Sequence, residues 1–173
     1  MPAYEVRNHK GVVSMQKLIL FDPDKCTGCR RCVLACSLAK EGVFNSEKAR
    51  IGVISIWEVG IHVPMFCQQC TKPLCADVCP VGAISRNEET GAMVLDPNLC
   101  IGCKMCVTVC PFAGCLINPH TKAIMKCDLC DGDPQCVKYC EFGALEFVEA
   151  DEVAYIKRKA GVDKLATAFK QIA

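Results

Sequence analysis

Sixteen of the seventeen cysteines in the chain fall into four runs of four. The first run is Cys26, Cys29, Cys32 and Cys36, and the second is Cys67, Cys70, Cys75 and Cys79. The third is Cys100, Cys103, Cys106 and Cys110, and the fourth is Cys127, Cys130, Cys136 and Cys140. Each opens with Cys-x-x-Cys and closes with Cys-x-x-x-Cys; the second and fourth widen only the middle gap. Thiolates are soft ligands that suit iron–sulfur clusters, zinc or copper(I). A Cys-x-x-Cys loop wraps a metal centre and presents two sulfurs, and a third Cys three residues on gives three corners of a cubane. The fourth lies about one helical turn further. A single Cys-x-x-Cys is a weak signal, but four such runs point to four [4Fe–4S] clusters. Structural zinc sites also use Cys-x-x-Cys, but as two separated pairs without the repeated third and fourth Cys. The chain has only three His to share such work.

A chain of 173 residues holds one domain or two small ones. So many cysteines in a short secreted protein would suggest a disulfide scaffold. The opening MPAYEVRNHKGVVSMQ mixes charge and polarity and has no apolar segment of the signal-peptide kind. Nothing approaches the roughly 18 uninterrupted apolar residues of a membrane span. The expectation is therefore a cytoplasmic, metal-binding chain with no membrane span. The formal charge of +1 counts every Cys as neutral. Sixteen thiolates and four oxidised cores of about +2 each would bring it to about −7. The Lys and Arg residues then neutralise clusters rather than nucleic acid, and an aromatic content of 6% argues against base stacking. With so few aromatics the apolar core should be modest, with clusters as part of it, and folding should be coupled to iron.

The elements that must position these runs are short. Leu18 to Phe21 reads as a buried strand stopped by Asp22-Pro23. Residues 37–50 form a connector with turn signals at Gly42 and Asn45-Ser46, and Ile51 to Phe66 reads as a strand pair turning at Glu58-Val59-Gly60. This pair covers one side of the clusters, with Trp57 and His62 as packing or surface residues. Val81 to Ile84 and Met93 to Leu95 make a second strand pair around the turn from Arg86 to Gly91. Ala144 to Val148 is a further strand. From Asp151 to Ala173 apolar residues recur at helical spacing (Val153, Ile156, Ala160; Leu165, Phe169, Ile172), interrupted at Gly161. That tail packs on its own domain or docks on a partner.

Two lead-ins repeat: Leu20-Phe21-Asp22-Pro23-Asp24-Lys25-Cys26 and Val94-Leu95-Asp96-Pro97-Asn98-Leu99-Cys100. Gly82-Ala83-Ile84 after the second run likewise matches Gly143-Ala144-Leu145 after the fourth. The order second run, strand, turn, strand, third run resembles a complete bacterial two-cluster ferredoxin. If the first and last strands pair, they rebuild a second module with its turn cut open. The expected fold is α+β: two ferredoxin-like modules, the central one inserted within the outer one, plus a C-terminal helical tail. Residues 17–36 and 127–149 make the outer module, 37–65 the connector, 66–117 the inserted module and 150–173 the tail. Pairing of neighbours in sequence is the alternative.

In the ferredoxin arrangement the fourth Cys of a run ligates the other cluster. That resemblance implies Cys26, Cys29, Cys32 and Cys140 on cluster A, and Cys127, Cys130, Cys136 and Cys36 on cluster B. It implies Cys67, Cys70, Cys75 and Cys110 on cluster C, and Cys100, Cys103, Cys106 and Cys79 on cluster D. Gly28 and Gly102 precede the second Cys of their runs, where backbone must approach sulfur. Pro80 and Pro111 follow the central runs, whereas Ser37 and Glu141 stand in that place in the outer ones. Val33-Leu34, Val107 and Val137 are expected to shield clusters from water. Cys115 is left over and reads as a small buried apolar side chain, with a replacement ligand as the alternative.

The stretches CTGCRRCVLACSLAKEGVFN, CQQCTKPLCADVCPVGAI, CIGCKMCVTVCPF and KCDLCDGDPQCVKYC resemble the four-cluster ferredoxin subunits of molybdenum or tungsten pterin oxidoreductases and of hydrogenase complexes. The form without a membrane anchor is similar to the small subunit beside tungsten aldehyde oxidoreductases and benzoyl-CoA reductases. The resemblance spans Leu18 to Val148. It implies a non-catalytic subunit relaying single electrons between a large pterin-containing catalytic subunit and a second carrier, such as a flavin subunit or a soluble ferredoxin. An enzyme acting at an open-iron cluster is the first rival, and all sixteen positions are filled. A free polyferredoxin and a self-assembling cluster scaffold are the others.

Overall fold

The computed structural model describes residues 16–150 and, beyond them, Glu152, Val153, Ile156, Lys157 and Val162. These last five have helical backbone; the rest of the helical tail expected over 151–173 lies outside the described residues. In chain order come β1 (Lys17–Phe21), α1 (Arg31–Glu41), β2 (Gly52–Ile56), β3 (Ile61–Met65), α2 (Leu74–Asp77) and β4 (Ile84–Arg86). They are followed by β5 (Met93–Leu95), α3 (Met105–Val109), β6 (Cys115–Ile117), β7 (Ile124–Lys126), α4 (Gln135–Lys138) and β8 (Leu145–Glu149). The fold is α+β, with short helices and two-stranded antiparallel sheets.

The sheets pair β1 with β8, β2 with β3, β4 with β5 and β6 with β7. The first strand therefore meets the last, with Ile19 opposite Phe147 and Phe21 opposite Leu145. Ile19 and Leu145 turn into a core shared with Val33, Ile51, Phe66 and Leu129. The helices associate in the same order, α1 against α4 and α2 against α3. A second core gathers Ile84, Met93, Cys115 and Ile124 around Cys75 and Cys106. Such cores are small, and cysteines make up much of both.

The expected connector over 37–50 differs at its start. Helix α1 continues through Cys36 to Glu41 and ends at Gly42, whose φ of 69° allows its N–H to cap the Leu38 carbonyl. Proline accounts for part of the contrast with the central runs, since α4 also stops early, at Lys138, with Glu141 after Cys140. Pro80 and Pro111 follow Cys79 and Cys110 and cannot continue a helix, whereas Ser37 follows Cys36, and its hydroxyl donates to the Leu34 carbonyl at 3.0 Å within the helix. The strand expected over Val81 to Ile84 also starts late, at Ile84, because Gly82 sits at φ 62° in the turn before it.

The β2–β3 hairpin falls where its residues suggested, turning at Gly60 (φ 65°). Its Val53 and Pro64 line the cavity that holds Cys26 and Cys29. Trp57 is 73% exposed, while His62 is buried and its Nδ1 lies 2.9 Å from Ser55 Oγ. The β6–β7 hairpin was not foreseen. It carries the chain from the third run straight into the fourth.

Candidate metal centres

The loops that present sulfur share one backbone device. The residue before the second Cys of every run has a left-handed φ: Gly28 at 70°, Gln69 at 50°, Gly102 at 69° and Leu129 at 58°. Glycine takes this conformation freely; other residues pay for it. The two non-glycine cases are held by what their side chains do. Gln69 is 1% exposed; its Nε2 donates to the Cys127 carbonyl at 3.1 Å, and its Oε1 accepts the Met93 N–H at 2.7 Å. Leu129, also 1% exposed, sits in the core between β1 and the fourth run.

The sulfurs gather in quartets, each drawn from two runs. Cys36 joins Cys127, Cys130 and Cys136 around a cavity with about 360 Å³ of empty space, counting its mouth. Cys140 joins Cys26, Cys29 and Cys32 around another of about 360 Å³. Cys79 joins Cys100, Cys103 and Cys106 around one of about 300 Å³. The remaining four are electrostatic neighbours: burial pushes the Cys70 thiol up, and the charges of Cys67, Cys110 and Cys75 add to it. Among the described residues no group of three or more His, Cys, Asp or Glu side chains could hold a metal ion at one point. Three of the quartets surround space instead. That arrangement fits a cluster of several irons, each corner taking one sulfur, and the thiolate donor set suits iron.

Three hydrogen bonds to sulfur come from the backbone. The N–H of Arg50 reaches Cys36 Sγ at 3.2 Å, that of Ala83 reaches Cys79 at 3.3 Å and that of Gly114 reaches Cys110 at 3.2 Å. All three acceptors are the last Cys of a run. For Cys79 slight burial pushes the thiol up, but the N–H groups of Val81, Ala83, Ile84 and Gly82 bring it below its ordinary value. At Cys32, Cys127 and Cys136 burial dominates. It lifts the Cys32 thiol to about 11 and the Cys127 thiol to about 12, and raises Cys136 as well. Without metal these are neutral thiols near pH 7, so loading the sites releases protons.

The sequence reading gave no part in the site to Lys126 or Arg86, and took Cys115 for a small buried side chain, which it is. Lys126, buried on β7, donates from Nζ to Cys67 Sγ at 2.7 Å. Burial disfavours its charge, but Cys67 more than offsets that, and the ammonium is held above its usual value. Arg86 bonds the Gly91 and Cys70 carbonyls at 2.6 and 2.7 Å. Cys115, 1% exposed, lies against Cys75 and Cys106, and its thiol as donor holds Cys75 below its ordinary value while Cys115 itself is pushed up. Lys126 follows no cysteine spacing, so the usual sequence signal for a ligand neighbour was missing. The shielding residues divide: Val33 is 3% exposed, whereas Leu34 is 41% exposed and turns outward.

Residues 59–150 match a family model described as a 4Fe-4S dicluster domain, and residues 18–44 match one described as a 4Fe-4S binding domain. The chain is 43% identical over 122 residues to the polyferredoxin-like subunit of aliphatic sulfonate oxidoreductase from Pyrococcus furiosus, covering 70% of each. It is 31% identical over 150 residues to the thiosulfate reductase electron transfer subunit PhsB of Salmonella typhi, covering 79% of this chain and 78% of that one. It is also 37% identical over 134 residues to the NADH-dependent phenylglyoxylate dehydrogenase subunit beta of Aromatoleum evansii, covering 75% of this chain but 30% of that one. Among solved structures, the benzoyl coenzyme A reductase complex BamBC with zinc aligns with a TM-score of 0.48 and 28% identity, over 88% of this chain and 91% of that one. The chain belongs to the 4Fe-4S dicluster family of ferredoxin-type electron-transfer subunits. No helix among the described residues is long and apolar enough to cross a membrane.

Proposed function

We propose that this chain is the iron–sulfur subunit of a cytoplasmic oxidoreductase complex and carries four [4Fe–4S] clusters, held as clusters A to D by the quartets assigned above. The observation that carries the proposal is the make-up of three cavities. Each is lined by three cysteines of one run and the last of another, first with fourth and second with third. The pairing of β1 with β8 supports the nested arrangement of a central module within an outer one.

The bound clusters supply one-electron chemistry; the protein supplies position, potential and access. Quartets A and D each have one exposed cysteine (Cys29, Cys103) and one buried (Cys32, Cys106), whereas B and C each have two buried (Cys36 and Cys136, Cys67 and Cys75) and none exposed. Clusters A and D therefore face the outside, and B and C lie within. The second and fourth runs abut where Gln69 bonds the Cys127 carbonyl. The order A, B, C, D follows, with electrons entering at one exposed end and leaving at the other.

The partner we propose is a large tungsten- or molybdenum-pterin catalytic subunit of the aldehyde oxidoreductase type, on the resemblance of the cysteine runs. A flavin subunit or soluble ferredoxin would serve as the second carrier. Anaerobic purification of the tagged chain from its native cells, with metal analysis of the complex, tests this. Tungsten or molybdenum beside iron is the expected result. Nickel would redirect the reading to hydrogenase, iron with no larger chain would favour a free polyferredoxin, and zinc in place of iron would end it.

A further inference from the structure

The cations around the four quartets are unequal. Near clusters A, B and D the basic side chains engage carboxylates or lie at the surface: Arg31 pairs with Glu141, and Lys40 with Asp128 at 2.6 Å. Lys126 is different. It is 7% exposed, and its ammonium meets Cys67 Sγ directly at 2.7 Å. Among the described residues it is the one side-chain cation hydrogen-bonded to a cysteine sulfur.

Its position is as telling as its contact. Lys126 immediately precedes Cys127, a ligand of cluster B, while its side chain reaches Cys67, a ligand of cluster C. Strand β7 fixes the backbone there through its pairing with Cys115 on β6. The lysine therefore spans the junction between the outer and central modules. A reduced cluster carries one more negative charge than an oxidised one, and a buried ammonium on its ligand favours the reduced form. Hydrogen bonds to sulfur act in the same direction. A buried lysine is also costly unless paired, so its placement at a thiolate calls for a role beyond packing.

We infer that Lys126 is a potential-setting residue: the bond from its ammonium to Cys67 makes cluster C the electron-accepting member of the inner pair, so that electrons crossing from the outer module settle in the central one. This rests on the reading that Cys67 ligates a [4Fe–4S] cluster. Atoms balance simply, because cluster C gains one electron from cluster B and no bond forms or breaks.

The test is an anaerobic redox titration of the whole iron-loaded chain followed by electron paramagnetic resonance, with iron and sulfide analysis alongside. In Lys126→Met one midpoint should fall by at least tenfold in the reduction equilibrium, about 59 mV for one electron, while iron content stays at the parent value. Lys126→Arg should restore most of that shift. Lys126→Gln, which keeps an N–H donor without the charge, should fall between. Full iron with every midpoint unmoved in Lys126→Met overturns the inference. If Lys126→Met loses iron, Lys126→Gln decides: full iron and an unmoved midpoint there overturn it equally. A parent chain whose iron content does not change in Cys67→Ala would instead sink the cluster reading beneath it.

Discussion

The imidazole of His62 fills the space into which a side chain at Gly28 would project. A Cβ built at Gly28 lies 2.6 Å from His62 Nδ1, and the glycine φ is +70°. Both the backbone and the neighbour therefore require glycine in this Cys-x-x-Cys loop. Gly102, its counterpart in the third run, has φ +69° but nothing within 4 Å. Gly102→Ala should cost the backbone term alone, about 1–2 kcal/mol. Gly28→Ala should cost more, and Gly28→Ala with His62→Ala should recover the difference. Anaerobic thermal melts of the three variants check this.

The cross-run quartets predict which cluster each last Cys disturbs. Cys140→Ala should alter the resonance signals of the cluster on Cys26, Cys29 and Cys32, because Cys140 lines that cavity. Cys36→Ala should alter those of the cluster on Cys127, Cys130 and Cys136. Spectra that change in the opposite assignment would remove the ligand exchange.

Cys115 lies within hydrogen-bond reach of Cys75 and Cys106, which the proposed assignment gives to clusters C and D. On the assignment proposed above it is a neighbour of ligands and not one of the sixteen. Cys115→Ser keeps a donor of similar size, so iron content should match the parent. Loss of about four irons per chain would make Cys115 a ligand.

Gln69 ties the second run to the fourth. Gln69→Leu leaves the Cys127 carbonyl and the Met93 N–H without their partners. Each such buried group costs about 1–3 kcal/mol. Gln69→Gly relieves the φ of 50° but loses the same two bonds, so it too should be less stable than the parent. Denaturant unfolding of the iron-loaded proteins measures both.

Removing iron should unfold more than the loops. Cysteines are three of the eleven buried residues of one core and three of the six of the other, so the clusters would supply packing as well as charge balance. Anaerobic chelation should strip the helical and strand circular dichroism together. A chelated chain that keeps both would show a core independent of iron.

What the sequence disclosed, it disclosed through repetition. The Asp-Pro lead-ins before Cys26 and Cys100 and the Gly-Ala pairs after Cys79 and Cys140 foretold the strands and their partners. The β6–β7 hairpin was equally repeated, yet it passed unnoticed. Asn87-Glu88-Glu89-Thr90-Gly91-Ala92 and Asn118-Pro119-His120-Thr121-Lys122-Ala123 share Asn, Thr and Ala at the same offsets. In both the Asn side chain accepts two backbone N–H groups of the turn. Lys122 stands at φ 61° where Gly91 stands at 68°, and the absent glycine disguised the turn. Gln69 and Leu129 hid for the same reason, since their left-handed backbone is paid for by tertiary contacts that no local pattern reveals. Lys126 was concealed by its commonness: a lysine beside a cysteine run looks like ordinary surface charge until the fold buries it.

The meeting of Lys17 with Glu149 and of Phe21 with Leu145 sets an order of birth. At a synthesis rate of about 5–20 residues per second, the first strand leaves the ribosome many seconds before its mate exists. The β4–β5 hairpin and its two cysteine runs close as soon as they emerge, over short loops. Biogenesis should thus run from the inside outward, with the inner half acquiring its metal on a nascent chain and the outer half waiting, thiols bare and vulnerable to oxygen, for translation to finish.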